Sequence, residues 1–118
     1  MLYFVDRKKD MVKPGGENVY SIEVETVLLS HPDVVDCAVI GVPDDRWGEA
    51  VKSLVVVDGD VTAQDLDAWC LAHMAPFKRP RWYEFVNGLP RNAMAKVVKA
   101  DLRAAHDPSS SIRLAERG

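Results

Sequence analysis

The residues able to do chemistry in this 118-residue chain are mainly cations, gathered in two places. Residues 77–103 hold Lys78, Arg79, Arg81, Arg91, Lys96, Lys99 and Arg103 against Glu84 and Asp101, a local charge of +5, while the whole chain carries −3. Guanidinium groups bind phosphate bidentately and aromatic rings stack on adenine. Phe77, Lys78, Arg79 and Arg81, with Trp47 on a separate loop, can therefore meet the nucleotide end of a phosphorylated cofactor. So short a basic patch suits one such cofactor better than a nucleic acid. Phe77 and Trp47 can equally be core. The second place is Asp6 to Tyr20, DRKKDMVKPGGENVY. Arg7, Lys8 and Lys9 read alone as a solvated charged turn. Pro14 fixes φ, and Gly15 and Gly16 open conformations closed to other residues. Such a loop lets something thin pass close to the backbone, or is a plain turn. Glu17 follows and can steady it. Lys96 alone reads as a solvated lysine ahead of a helix. Cys37 and Cys70 sit in apolar patterns as buried free thiols, which points to a reducing cytoplasm. His31 and His73 are assigned no chemistry, and no metal-ligand set is visible.

Length allows one domain with a modest core, and 47% hydrophobic content fits a globular protein. No run approaches the roughly 18 apolar residues of a membrane helix. Leu2–Val5 reads as a strand with Met11–Lys13 as its hairpin partner. The abrupt apolar start suggests a piece cut from something longer, or a split subunit. Ser21 is expected to cap a helix to about Ser30, with Tyr20, Val24, Val27 and Leu28 on one face. His31-Pro32 ends it. Val34–Val42 and Ala50–Val57 read as adjacent strands joined by a short loop. Thr62 with Asp65 matches a capping box opening a helix whose Leu66, Trp69, Cys70 and His73 share a face. Arg81–Val86 reads as the third strand, and Val97–His106 as a last helix. Residues 107–118, with Pro108 and three serines, read as a disordered tail. The expected fold is α+β: a small three-stranded sheet flanked by helices, plus the N-terminal hairpin.

The Asp6–Tyr20 stretch and the later Pro90-Arg91-Asn92-Ala93-Met94-Ala95-Lys96-Val97, in this order, resemble the small C-terminal domain of the adenylate-forming enzymes. That superfamily includes acyl-CoA synthetases, peptide-synthetase adenylation domains and luciferases. The likeness is greatest to a fatty-acyl or aryl acyl-CoA synthetase and runs from about Leu2 to Arg103. It implies a domain over residues 1–106 that works with a large N-terminal domain holding the ATP loop, most of the Mg–ATP contacts and the acyl pocket. Lys96 then matches the lysine closing a Pro-Arg/Lys-x-x-x-Gly-Lys motif, with Ala95 where the family usually has glycine. Such a lysine offsets charge between the carboxylate and the α-phosphate as acyl-adenylate forms. Lys9 matches the hinge about which the small domain rotates between adenylation and thioesterification. Arg7 matches a nucleotide contact. Gly15, Gly16 and Glu17 would line the pantetheine tunnel, and Trp47, Phe77, Lys78, Arg79 and Arg81 would face CoA. A second reading is a free-standing CoA-binding or interaction module. A third keeps the enzyme and changes the acceptor.

Overall fold

In the computed structural model the described residues are 11–89 and 99–114. In chain order the elements are β1 (Met11–Val12), β2 (Val19–Tyr20), α1 (Ser21–Leu29), β3 (Val34–Asp44), β4 (Gly48–Val57), α2 (Ala63–His73), β5 (Trp82–Phe85), α3 (Lys99–Ala104) and β6 (Ile112–Arg113). Single 3₁₀ turns occupy Pro14–Gly16, Pro76–Lys78 and Pro108–Ser110. β3 and β4 form a long antiparallel hairpin, β5 joins β4 in parallel, and β6 joins β5 antiparallel. The expected α+β class holds.

Both faces of the β3–β4 pair are covered, which explains why their sequences are near-continuous apolar runs without alternation. Cys37, Val39, Val51, Val55 and Tyr83 pack with Val24 and Leu28 of α1 and Leu66 and Cys70 of α2. Ala38, Ile40, Val42, Ala50, Leu54 and Trp82 pack with Leu102 of α3 on the other side. The thiols belong to this interior: burial pushes Cys37 up to about 12 and Cys70 to about 11, so neither is a reactive thiolate.

The helix starts show local grammar both working and failing. Thr62 Oγ1 accepts from the Asp65 amide at 3.1 Å, and Asp65 Oδ2 accepts from the Thr62 amide at 3.1 Å, the expected reciprocal box. α1 is different. Its cap position is Tyr20, whose amide donates to Glu23 Oε1 at 3.3 Å. Ser21 is already helical, and its Oγ accepts from Lys99 Nζ at 3.2 Å. Lys99 also donates to Glu25 Oε2 at 2.6 Å, and that oxygen accepts the Val39 amide at 3.0 Å. The start of α3 is thereby fastened to α1 and β3.

Two expectations about pairing change. The two-stranded sheet pairs Met11 with Tyr20 and Val12 with Val19, so Pro14-Gly15-Gly16 is the tip of a hairpin. The expected partner Leu2–Val5 lies outside the described residues. The main sheet has four strands, because the segment expected to be a disordered tail supplies β6. Its order comes from distant polar partners. Lys52 on β4 is fully buried, and its Nζ donates to Glu84 Oε1 (2.8 Å), His106 Nδ1 (2.9 Å) and Ser111 Oγ (3.0 Å). The Leu114 amide closes the segment onto the Arg81 carbonyl at 2.8 Å.

This clasp is expected to respond to pH through His106. Burial first, then the Lys52 charge, holds His106 below the usual histidine range, against Glu84 and Asp107. The unfolded histidine, with a pKa of roughly 6.5, binds its proton before the folded one does. Stability is therefore full above about 6.5 and falls as pH drops toward the folded value. Thermal unfolding between pH 7.5 and 5.5 should show that loss, and His106→Gln should flatten it. An unchanged slope in the variant would exclude His106 as the cause.

Candidate functional site

The Pro-Gly-Gly tip and the β3–β4 turn meet. The Gly15 amide donates to the Trp47 carbonyl at 3.0 Å, and the Lys13 amide donates to Glu49 Oε1 at 2.8 Å. Gly15 and Gly16 have φ of 59° and 88°, the left-handed region that favours glycine. A Cβ on Gly15 would stand 2.9 Å from Trp47 Cε3, whereas one on Gly16 would meet nothing within 4 Å. Gly15 thus lets the loop press on the indole, while Gly16 leaves its outer side open. Glu17 is exposed, its amide bonded to the Pro14 carbonyl at 3.1 Å.

The half-buried Trp47 ring carries the Arg81 guanidinium 5.1 Å from its centroid, with Arg46 at 6.0 Å. Arg81 is placed by strand geometry, since its amide donates to the Val51 carbonyl at 2.9 Å. A cation over an indole is attracted by the ring's quadrupole, which steadies both. The result is a surface made of a bare loop and a flat ring, steadied by a cation that is itself buried: Arg81, also expected to face CoA, is only 8% exposed.

Phe77 and Lys78 form a second group. Phe77 is exposed, and Lys78 Nζ lies 5.9 Å from its ring centroid. Lys78 also pairs with Glu23 at 2.9 Å, which, with the Tyr20 amide, holds the Glu23 carboxyl below its usual range. Arg79 corrects the sequence reading. It was expected to face CoA, but its side chain is 5% exposed and donates from Nε to Asp67 Oδ1 at 2.8 Å. Its NH1 donates to the Pro76 carbonyl at 2.9 Å. Arg79 therefore ties the turn bearing Phe77 and Lys78 to α2.

Asp44 is the residue that sequence reasoning missed. Its Oδ2 accepts the amides of Arg46 (3.2 Å) and Trp47 (3.1 Å), and its Oδ1 accepts from Trp82 Nε1 (3.2 Å). An aspartate opening a polar turn is a legible signal for such amide contacts. Arg7, Lys9 and Lys96 lie outside the described residues.

Replacing Gly15 by alanine should cost about 1–3 kcal/mol, from the left-handed φ and the displaced indole. The same change at Gly16 meets the φ penalty alone and should cost less. Urea unfolding of the two variants checks the order, and equal losses would mean that the Trp47 contact contributes nothing.

Residues 23–96 match the AMP-binding enzyme C-terminal domain family. The chain belongs to that family. This AMP-binding enzyme C-terminal domain is 52% identical over 103 residues to the crotonobetaine/carnitine–CoA ligase of Proteus mirabilis (strain HI4320), covering 86% of this chain and 20% of that protein. Its fold matches MatB from Rhodopseudomonas palustris with a TM-score of 0.80 at 42% identity, covering 83% of this chain and 20% of that one. It also matches the amide bond synthetase McbA from Marinactinospora thermotolerans with a TM-score of 0.77 at 42% identity, covering 80% and 20%. The chain spans about a fifth of the length of these relatives.

Proposed function

We propose that this domain is the mobile C-terminal part of an ATP-dependent acyl-CoA synthetase, which joins a carboxylate to ATP as acyl-adenylate and then transfers the acyl group to CoA. The observation that carries the reading is the family match together with the identity to a named CoA ligase across most of the chain. In the first half-reaction Lys96 offsets the negative charge shared by carboxylate and α-phosphate. Arg7 contacts the nucleotide, and Lys9 absorbs the backbone change as the domain rotates. In the second, the thiol-bearing arm of CoA runs along the open side of Gly16, with Gly15 and Glu17 beside it. Trp47 and Phe77 offer flat surfaces to its adenine, Lys78 offers positive charge to its phosphates, and the buried Arg81 supports the Trp47 ring. Arg79 is withdrawn from that set because its guanidinium is committed inside. Magnesium is assigned with ATP to the large N-terminal part of the enzyme, and no step is routed through it. Among the described residues no helix is long and apolar enough to cross a membrane.

The likeness to an amide bond synthetase favours one second reading, in which the acyl-adenylate is passed to an acceptor other than a thiol. The test mixes this chain with the large N-terminal domain of its parent enzyme and follows ATP–pyrophosphate exchange and CoA thioester formation. Both activities should appear only on mixing. Lys9→Pro should preserve exchange and lose the thioester. Exchange without any thioester from the native mixture would favour the other acceptor, and silence with a competent partner would defeat the ligase reading.

A further inference from the structure

The Asp44 carboxylate is held from the far end of the chain. Arg113 Nε donates to Oδ1 at 3.0 Å, and NH2 donates to Oδ2 at 3.2 Å. The Asp44 side chain is 4% exposed. Arg113 itself is fixed on β6 opposite Trp82, with its guanidinium 5.8 Å from that ring's centroid and NH1 on the Leu114 carbonyl at 2.8 Å. Burial pushes the Asp44 carboxyl up, but the hydrogen bonds from Arg113, the Trp47 amide and Trp82 outweigh it and hold it below its usual range. One oxygen pair therefore serves two tasks: it accepts the amides of the Trp47 turn, and it receives a two-point grip from the last strand. Residues 112 and 113 lie beyond residue 96, where the family match ends, so this grip is an addition to the part of the chain that the family pattern covers.

We propose that Asp44 and Arg113 are positioning residues for the Trp47 turn, so that the C-terminal strand sets how well this domain holds the nucleotide end of CoA. The proposal rests on the reading that Trp47 meets the adenine. Neither residue is asked to touch the ligand. Asp44 fixes the backbone at Arg46 and Trp47, and Arg113 fixes Asp44. The indole then stays pressed on Gly15 and under Arg81. A stacking surface works only at a defined height and tilt, and a displacement of about 1 Å at a positioned group can cost as much as 10²-fold. The bidentate geometry matters as much as the charge, because a lysine at 113 would supply a point charge without the fork.

The test uses the full-length enzyme containing this chain. Arg113→Ala should raise the KM for CoA about tenfold, of the order of one lost charge-assisted interaction. ATP–pyrophosphate exchange should stay within about twofold by the same reasoning, since Lys96 is not moved. Asp44→Asn, which keeps one acceptor oxygen, turns the other into a donor and loses the ion pair, should move KM in the same direction, and Arg113→Lys should fall between. Combined with Trp47→Ala, the Arg113→Ala change should add nothing further. An additive effect, or an unchanged CoA KM beside a raised one in Trp47→Ala, would overturn the proposal.

A second readout separates this idea from the CoA reading. Amide hydrogen exchange at Arg46 and Trp47 should quicken in Arg113→Ala, with exchange in α2 unaltered. If it quickens while Trp47→Ala leaves the CoA KM untouched, the positioning stands and the adenine contact falls. If it does not quicken, the positioning falls whatever the kinetics show.

Discussion

Lys96→Ala in the parent enzyme is expected to slow acyl-adenylate formation by roughly 10²–10³-fold, the usual cost of removing one preorganised donor from a developing charge. The carboxylate and the α-phosphate are both anions, and their union needs a cation between them as pyrophosphate leaves. Lysine suits the task because its ammonium is compact and its stem long enough to follow a domain that swings in and out. Thioester formation from supplied acyl-adenylate should be largely spared, because that step no longer joins two anions. Comparing pyrophosphate exchange with single-turnover thiolation of synthetic acyl-adenylate separates the steps. Equal loss in both would remove Lys96 from its assigned role. Lys99, three residues on, cannot stand in, since it is engaged with Ser21 and Glu25.

The second large effect is on stability. Arg79→Ala should destabilise the domain by about 3–5 kcal/mol, because it leaves the Asp67 carboxylate buried without its main cation. With Asp67 at 2% side-chain exposure, water cannot replace the guanidinium. At roughly 4–8 °C per kcal/mol for a domain of this size, the melting temperature should fall by more than 10 °C. The pair Asp67→Leu with Arg79→Met should recover most of the loss, since a buried ion pair is often matched by apolar residues of similar volume. Thermal unfolding of the three variants decides the matter. A single variant that melts like the native chain and shows only a raised KM for CoA would return Arg79 to the ligand surface.

What was legible in the sequence was what short-range rules govern. The β3 and β4 runs announced themselves because burial on both faces leaves no polar alternation to confuse. Thr62 and Asp65 satisfy each other within one turn, and so were readable as a pair. Arg79 and Arg81 were not separable, being two residues apart in one basic cluster. Both are buried, Arg79 at 4% and Arg81 at 8% exposure, and what separates them is the partner: Asp67 on a helix for one, the Trp47 ring on a turn for the other. Gly15 and Trp47 were each singled out, yet their contact spans 32 positions and needs the hairpin register to exist. β6 was missed because a two-residue strand has no periodicity, and serines around a proline read as loop. Its order is supplied by Lys52, Glu84 and Asp44, none of them local to it.

The brevity of β6 has a consequence for solubility. A sheet's outer strand offers unpaired amides and carbonyls to any passing chain, and natural proteins blunt such edges by keeping them very short or charged. Here the edge is two residues, and one of them is an arginine drawn into an ion pair. Behind it stands Trp82-Tyr83-Glu84-Phe85, an aromatic strand well suited to pairing. A change that frees β6 would bare that strand at Trp82 and Tyr83, and the fault would be seen first as self-association at high concentration. The same few atoms that hold Asp44 thus also cover this edge of the sheet at Trp82 and Tyr83.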